Sequence, residues 1–159
     1  MKHKILSLGG TTEKGYAALC AEYYSRLRTV APVTECDLKP HPLSASPREG
    51  EIRRALEQEA DAIFAQIPRQ AFVVALCVEG KALTSEALAQ TLSDAAGRGF
   101  SETVWIIGSS YGLSPRVKEA AHLRLSLSSL TLPHKLARLV LAEAIYRSVE
   151  IQRGTKYHK

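Results

Sequence analysis

The stretch that most constrains this chain is Ala71-Phe-Val-Val-Ala-Leu-Cys-Val78, an unbroken apolar run with no polar alternation. A strand with one wet face alternates apolar and polar side chains at period two, so an uninterrupted run asks to be buried on both faces. Helical crossovers between parallel strands supply that double cover. Thr103-Val-Trp-Ile-Ile107 makes the same demand. The chain therefore calls for a sheet sandwiched between helices.

The remaining segments provide the alternation such a fold needs. Lys2 to Leu8 reads as a strand ending at Gly9-Gly10. Lys14 to Val30 carries Ala17, Ala18, Ala21, Tyr24 and Leu27 at helical spacing. A strand near Val33 to Leu38 runs into Pro40, Pro42 and Pro47, which forbid regular structure and mark a mobile loop. Glu49 to Ile67 is an amphipathic helix stopped by Pro68. Thr84 to Gly97 is a helix with Thr84 or Ser85 as N-cap and Glu86 in its first turn. Ser114 and Pro115 suit the N-cap and first position of a short helix. Leu123 to Leu127 is the last strand and Pro133 to Ile151 the last helix. No repeat or linker interrupts the pattern, which predicts one α/β domain over 1–159 with a mostly parallel sheet and helices on both faces. Ligands of such sheets sit at the carboxyl ends of the strands. Leu76 to Lys81, Gly108 to Gly112 and Leu127 to Leu132 are then the candidate site walls.

Charge is uneven. The net charge is +5, and Pro133 to Lys159 holds six Lys/Arg against two Glu, so most of the excess lies in the final 27 residues. An anionic partner is expected there, and nucleic acid is permitted rather than required. The first residues lack the apolar segment of a signal peptide, and no apolar run approaches the roughly 20 residues that span a bilayer. A soluble, cytoplasmic protein without membrane contact is expected. Cys20, Cys36 and Cys77 are far apart with no CxxC pair. They read as reduced thiols, Cys77 as core packing, and not as disulfides or metal ligands.

Several motifs carry competing readings. Gly9-Gly-Thr-Thr-Glu-Lys-Gly15 fits neither the P-loop nor GxGxxG and reads as a strand-to-helix turn. Gly108-Ser-Ser110-Tyr-Gly112 formally matches the GxSxG nucleophile elbow, with Ser110 as nucleophile. The elbow should enter a helix at once, whereas Leu113-Ser114-Pro115 delays it, so a glycine-bracketed ligand loop is the better reading. Lys81 is either a solvated turn residue or a pocket-lining one. Glu143 and Arg147 form an i,i+4 pair in the favourable order. His134 and Arg138, also one turn apart, are expected to face whatever the Ser-Ser-Leu-Thr loop holds. The short polar segment after Gly154 should be disordered on its own.

Taken together, Ile-Ile-Gly108-x-x-x-Gly112-Leu, the Leu125-Ser-x-Ser-x-x-Thr-x-Pro-His134 block, Arg138-x-x-x-x-Glu143-x-x-Tyr146-Arg147 and Tyr157-His158 closely resemble the bacterial large-subunit ribosomal RNA pseudouridine-N3 methyltransferases, the RlmH type within the SPOUT superfamily. The resemblance runs end to end. It implies a trefoil knot in the carboxyl half and S-adenosyl-L-methionine held by Leu76, Gly108, Leu127, Ser128, Ser129, Leu130, Thr131 and Leu132. It implies a homodimer in which the last residues of one protomer complete the partner's site, acting on ribosomal RNA or an assembled ribosome. It further implies that His134, Arg147, Tyr157 and His158 serve the reaction, through proton handling, anion binding or base stacking. The chain departs from the family where Ser109 replaces a usual second glycine, and where Gly9-Gly10-Thr11-Thr12 lacks a lysine soon after the first strand. A paralogue acting on another RNA position, an RNA-binding protein without methyl transfer and, last, the serine hydrolase are the alternatives.

Overall fold

The computed structural model describes residues 1–10 and 13–159. Thr11 and Thr12, in the turn expected over 9–15, lie outside the described residues. Strands and helices alternate as β1 (Lys2–Leu8), α1 (Lys14–Leu27), β2 (Val33–Leu38), α2 (Glu49–Phe64), β3 (Ala71–Ala82), α3 (Ser85–Gly97), β4 (Glu102–Ile107), α4 (Pro115–Ala120), β5 (Leu123–Ser126) and α5 (His134–Gln152). The five strands form one parallel sheet in the order β2-β1-β4-β3-β5.

The apolar runs divide between two cores by pleat. Ile5, Val74, Trp105 and Ile107 face one side, with Leu27 of α1, Leu88 and Leu92 of α3, and Leu141, Ile145 and Val149 of α5. Leu6, Leu8, Val73, Ala75, Val104 and Ile106 face the other, with Ala60 and Ile63 of α2 and Val117 of α4. Successive residues of one strand thus enter opposite cores, which explains why β3 and β4 contain no polar alternation. Burying a side chain such as Ile106 contributes about 1.5–3 kcal/mol.

Several boundaries differ from the sequence reading. α1 stops at Leu27 instead of Val30, and α2 at Phe64 instead of Ile67, each chain unwinding through turns before the next strand. β3 continues past Val78 to Ala82, because its ladder with β5 breaks after Leu76 and resumes at Lys81. Cys77 to Gly80 are pushed out of the ladder, so Cys77 is half-buried beside a hollow and is not core packing. β5 ends at Ser126, leaving Leu127 in the following loop. Pro133 is the N-cap of α5, which makes His134 its first residue. Thr84 Oγ1 accepts from Ala87 N at 3.2 Å, which settles the N-cap of α3. The proline-rich connection at 39–48 has neither helix nor strand. No helix among the described residues is long and apolar enough to cross a membrane.

Candidate functional site

The carboxyl ends of β3, β4 and β5 frame a hollow of about 660 Å³, a size typical of small-molecule sites. All three expected walls meet there. The displaced β3 segment gives Leu76, Cys77, Val78 and Glu79; the turn after β4 gives Gly108 to Gly112; the loop after β5 gives Leu127, Ser128, Leu130, Thr131 and Leu132. Ile107, Leu113, Lys118, Leu125, Ser126, Pro133 and Ala137 complete the lining, and His134 borders it from the start of α5. Ser129 is exposed and does not line the hollow. Lys81 lies outside it, beside Arg124 and His122 in a separate polar cleft.

The turn after β4 is tight for an identifiable reason. Gly112 N donates to Ser109 O at 2.9 Å, and Gly112 takes φ +82°. A Cβ on Gly108 would stand 2.6 Å from the Gly112 carbonyl carbon, so only glycine lets the two segments close. α4 then starts afresh at Pro115 under a Ser114 cap that accepts from Val117 N at 3.2 Å. No helix follows Ser110 directly, so the turn lacks the geometry of a nucleophile elbow. The loop after β5 is braced internally: Ser126 Oγ donates to Ser128 O at 2.9 Å, and Ser128 Oγ accepts from Leu130 N at 3.0 Å. Cys77 sits in the wall with its thiol pKa raised, by burial first and then by the Glu79 charge.

His134 stands at the rim, and its imidazole and the Pro40 ring are the nearest neighbours of the open side of the Gly9 α-carbon. Arg138, one turn on, does not face the hollow as the sequence suggested. It is 3% exposed and bonds to Asp37, to Glu35 Oε1 at 3.3 Å and to Gly9 O at 3.4 Å, tying α5 to the ends of β1 and β2. Burial works against its charge, yet the Asp37 bond and the two carboxylates hold its pKa above the ordinary value.

Arg147, Tyr157 and His158 gather at the far end of α5. Arg147 Nε donates to Glu143 Oε1 at 3.0 Å, and that bond is the first cause of its raised pKa. Tyr157 Oη donates to the same oxygen at 3.2 Å, its ring meets Tyr146 edge-on at 4.7 Å, and the Arg147 guanidinium lies 4.8 Å from its centre. Burial, then the Glu143 charge, raises the Tyr157 pKa. His158 Nε2 lies 2.7 Å from Glu86 Oε1 and its Nδ1 3.4 Å from Arg147 Nη1. A guanidinium only donates, so Nδ1 is the acceptor of that contact. The last residues are thus docked on α3 and α5, and not loose as expected for the segment alone. From His134 to Arg147 the helix rises about 20 Å. The four expected catalytic side chains therefore form two clusters, one at the hollow and one a helix-length away. Glu150, three residues beyond Arg147, pairs with Arg153 at 2.8 Å.

The chain has counterparts among known proteins. A family model described as "Predicted SPOUT methyltransferase" matches residues 1–158. The proteins named "Ribosomal RNA large subunit methyltransferase H" from Streptococcus gordonii and Streptococcus sanguinis are 42% and 40% identical, each aligned over 100% of both chains. The structure of a probable methylase family protein from Haemophilus influenzae superposes with TM-score 0.55 at 13% identity, covering 99% of this chain and 70% of that one, which shows a shared fold. With its whole length matched and its fold in agreement, the chain belongs to the SPOUT methyltransferase family.

Proposed function

We propose that this chain transfers a methyl group from S-adenosyl-L-methionine to N3 of a pseudouridine in large-subunit ribosomal RNA. It does so as a cytoplasmic homodimer, with residues 1–159 acting as one domain. The carrying observation is the strand-end hollow, in a chain aligned end to end with proteins named ribosomal RNA large subunit methyltransferases. Its walls suit the donor: Leu76, Ile107, Leu127, Leu130 and Leu132 offer apolar surface to a flat base, while Gly108, Ser128 and Thr131 offer backbone and hydroxyl groups. Ser129 is left out of that set because it is exposed. Bound there, the donor would supply a methyl already activated by its sulfonium charge. The chain's own task is to align the acceptor nitrogen and ease loss of its proton.

His134 at the rim is placed for proton handling or base contact. Arg147, Tyr157 and His158 suit phosphate or anion binding, base stacking and proton handling, but they lie about 20 Å away along α5. A two-fold pairing of chains resolves this separation, since an isologous interface along α5 lets each helix end meet the partner's hollow. Leu136, Leu139 and Val140 are half-buried on α5, and Leu130 beside the hollow is 73% exposed, which supports a second copy covering this side. The trefoil knot belongs to the same reading. It is supported by the loops after β4 and β5 meeting around one hollow before α5 returns across α1 and α3. Mass-spectrometric mapping of ribosomal RNA from cells lacking the gene tests the function. One N3-methylpseudouridine of the large subunit should disappear and return with the gene; an unchanged map would overturn the proposal.

A further inference from the structure

Glu59 is 7% exposed, and both its carboxyl oxygens accept hydrogen bonds from segments distant in sequence. Oε1 accepts from His41 N at 2.9 Å, in the proline-rich connection, and Oε2 accepts from Ser109 Oγ at 3.0 Å, in the turn after β4. Among the described residues no Lys, Arg or His forms a salt bridge to it. Buried carboxyl groups are costly to leave without partners, so this one holds its two donors in place. α2 does not need the contact for its own attachment. Ala60 and Ile63 are in the core, and Arg116 reaches from α4 to Glu57 at 3.1 Å and to Asp61 at 2.5 Å. The turn at 108–112 has less support: apart from its internal Ser109–Gly112 bridge and buried Leu113, the bond to Glu59 is the side-chain hydrogen bond that fixes it from outside among the described residues. Gly108 to Gly112 line the hollow, so any freedom in that turn changes the shape of the donor's wall.

We propose that Glu59 is a positioning residue which, through the Ser109 hydroxyl, fixes the 108–112 turn against the methyl donor and couples it to the connection at His41. The inference rests on the hollow being the donor site. A hydrogen bond to a carboxyl group should be worth about five- to tenfold in donor affinity when its loss frees the wall. Calorimetry with S-adenosylmethionine on the full chain, with melting curves to establish folding, provides the test. Ser109→Ala and Glu59→Ala should each weaken binding by about that factor. Glu59→Gln, which still accepts from His41 and can donate to Ser109, should stay near wild type. The double variant Ser109→Ala/Glu59→Ala should bind no more weakly than Glu59→Ala alone. The latch is overturned if folded Ser109→Ala binds within about twofold of wild type, or if its effect persists in full on Glu59→Ala. If the wild type itself binds no S-adenosylmethionine, the donor reading fails first and the latch with it.

Discussion

Arg138 and Arg147 stand nine residues apart on α5, a spacing that puts them on opposite faces of the helix. Each has carboxylate partners, yet their settings differ in kind. Arg138 is 3% exposed and joins three elements through Asp37, Glu35 and Gly9, whereas the Arg147 side chain is 29% exposed and bonds to Glu143 one turn away on its own helix. A buried guanidinium tied across elements is an anchor, and removing it strands its partners. One held by its own helix can be released to an incoming anion at small cost. The amino end of α5 is thus fixed across elements beside the hollow, whereas the carboxyl end is held by local, half-exposed contacts to Glu143, Tyr157 and His158.

Acid breaks this comparison most completely, because it removes the sheet from which both ends hang. His3 is buried and its Nδ1 accepts from Trp105 Nε1 at 3.2 Å. Burial, then the nearby amino terminus, lowers its pKa from 6.5 to about 3. Between those values the unfolded chain takes up a proton that the fold refuses, so stability falls as pH drops from 6.5 toward 3, by on the order of 4 kcal/mol. Denaturant titrations followed by fluorescence of Trp105, the single tryptophan, should show that slope, and His3→Leu should flatten it. The next largest effect is expected at the anchor. Arg138→Ala should cost about 3 kcal/mol, leaving Asp37 and Glu35 without their cation, while Arg147→Ala should change the denaturation midpoint little. Equal losses would erase the distinction between the two arginines.

Function should divide the ends in the opposite sense. Gly108→Val has no room beside Gly112 and should weaken S-adenosylmethionine binding by about 100-fold in calorimetry. His158→Ala should leave that affinity within about twofold and lower the rate of methyl transfer by about ten- to 100-fold. A parallel loss of donor affinity in His158→Ala would show that this histidine, from whichever chain, supports donor binding and not methyl transfer alone.

The sheet was legible because its strands carry unbroken apolar runs. Ala71 to Ala75 are covered on both faces as the run to Val78 implied, whereas its last residues, Leu76 to Val78, border the hollow and Val78 is exposed. The meeting of the three expected segments around one hollow was legible for the same reason, since parallel strands place such loops together at their carboxyl ends. Arg138 was misread because i,i+4 spacing gives a shared face with His134 without saying what that face meets. Here it meets Asp37, at the end of a strand distant in sequence. The break in β3 gave no signal, as Glu79-Gly80-Lys81 reads as an ordinary turn, although the ladder resumes beyond it. Glu59 lies within the amphipathic pattern of α2, which carries no sign of its two non-local partners, His41 and Ser109. The docking of Tyr157 and His158 depends on Glu143 and Glu86, a pairing that periodicity does not encode.

The central claim is that each site combines one chain's hollow with the other chain's Arg147, Tyr157 and His158. Mixed dimers of Gly108→Val and His158→Ala test it most directly, with methyl transfer to ribosomal RNA as the readout. Half of a random mixture pairs the two variants, and each such dimer holds one intact composite site. Activity should therefore recover to about a quarter of the wild-type value. A mixture no more active than the average of the two parent variants would place the whole site within one chain and contradict the account.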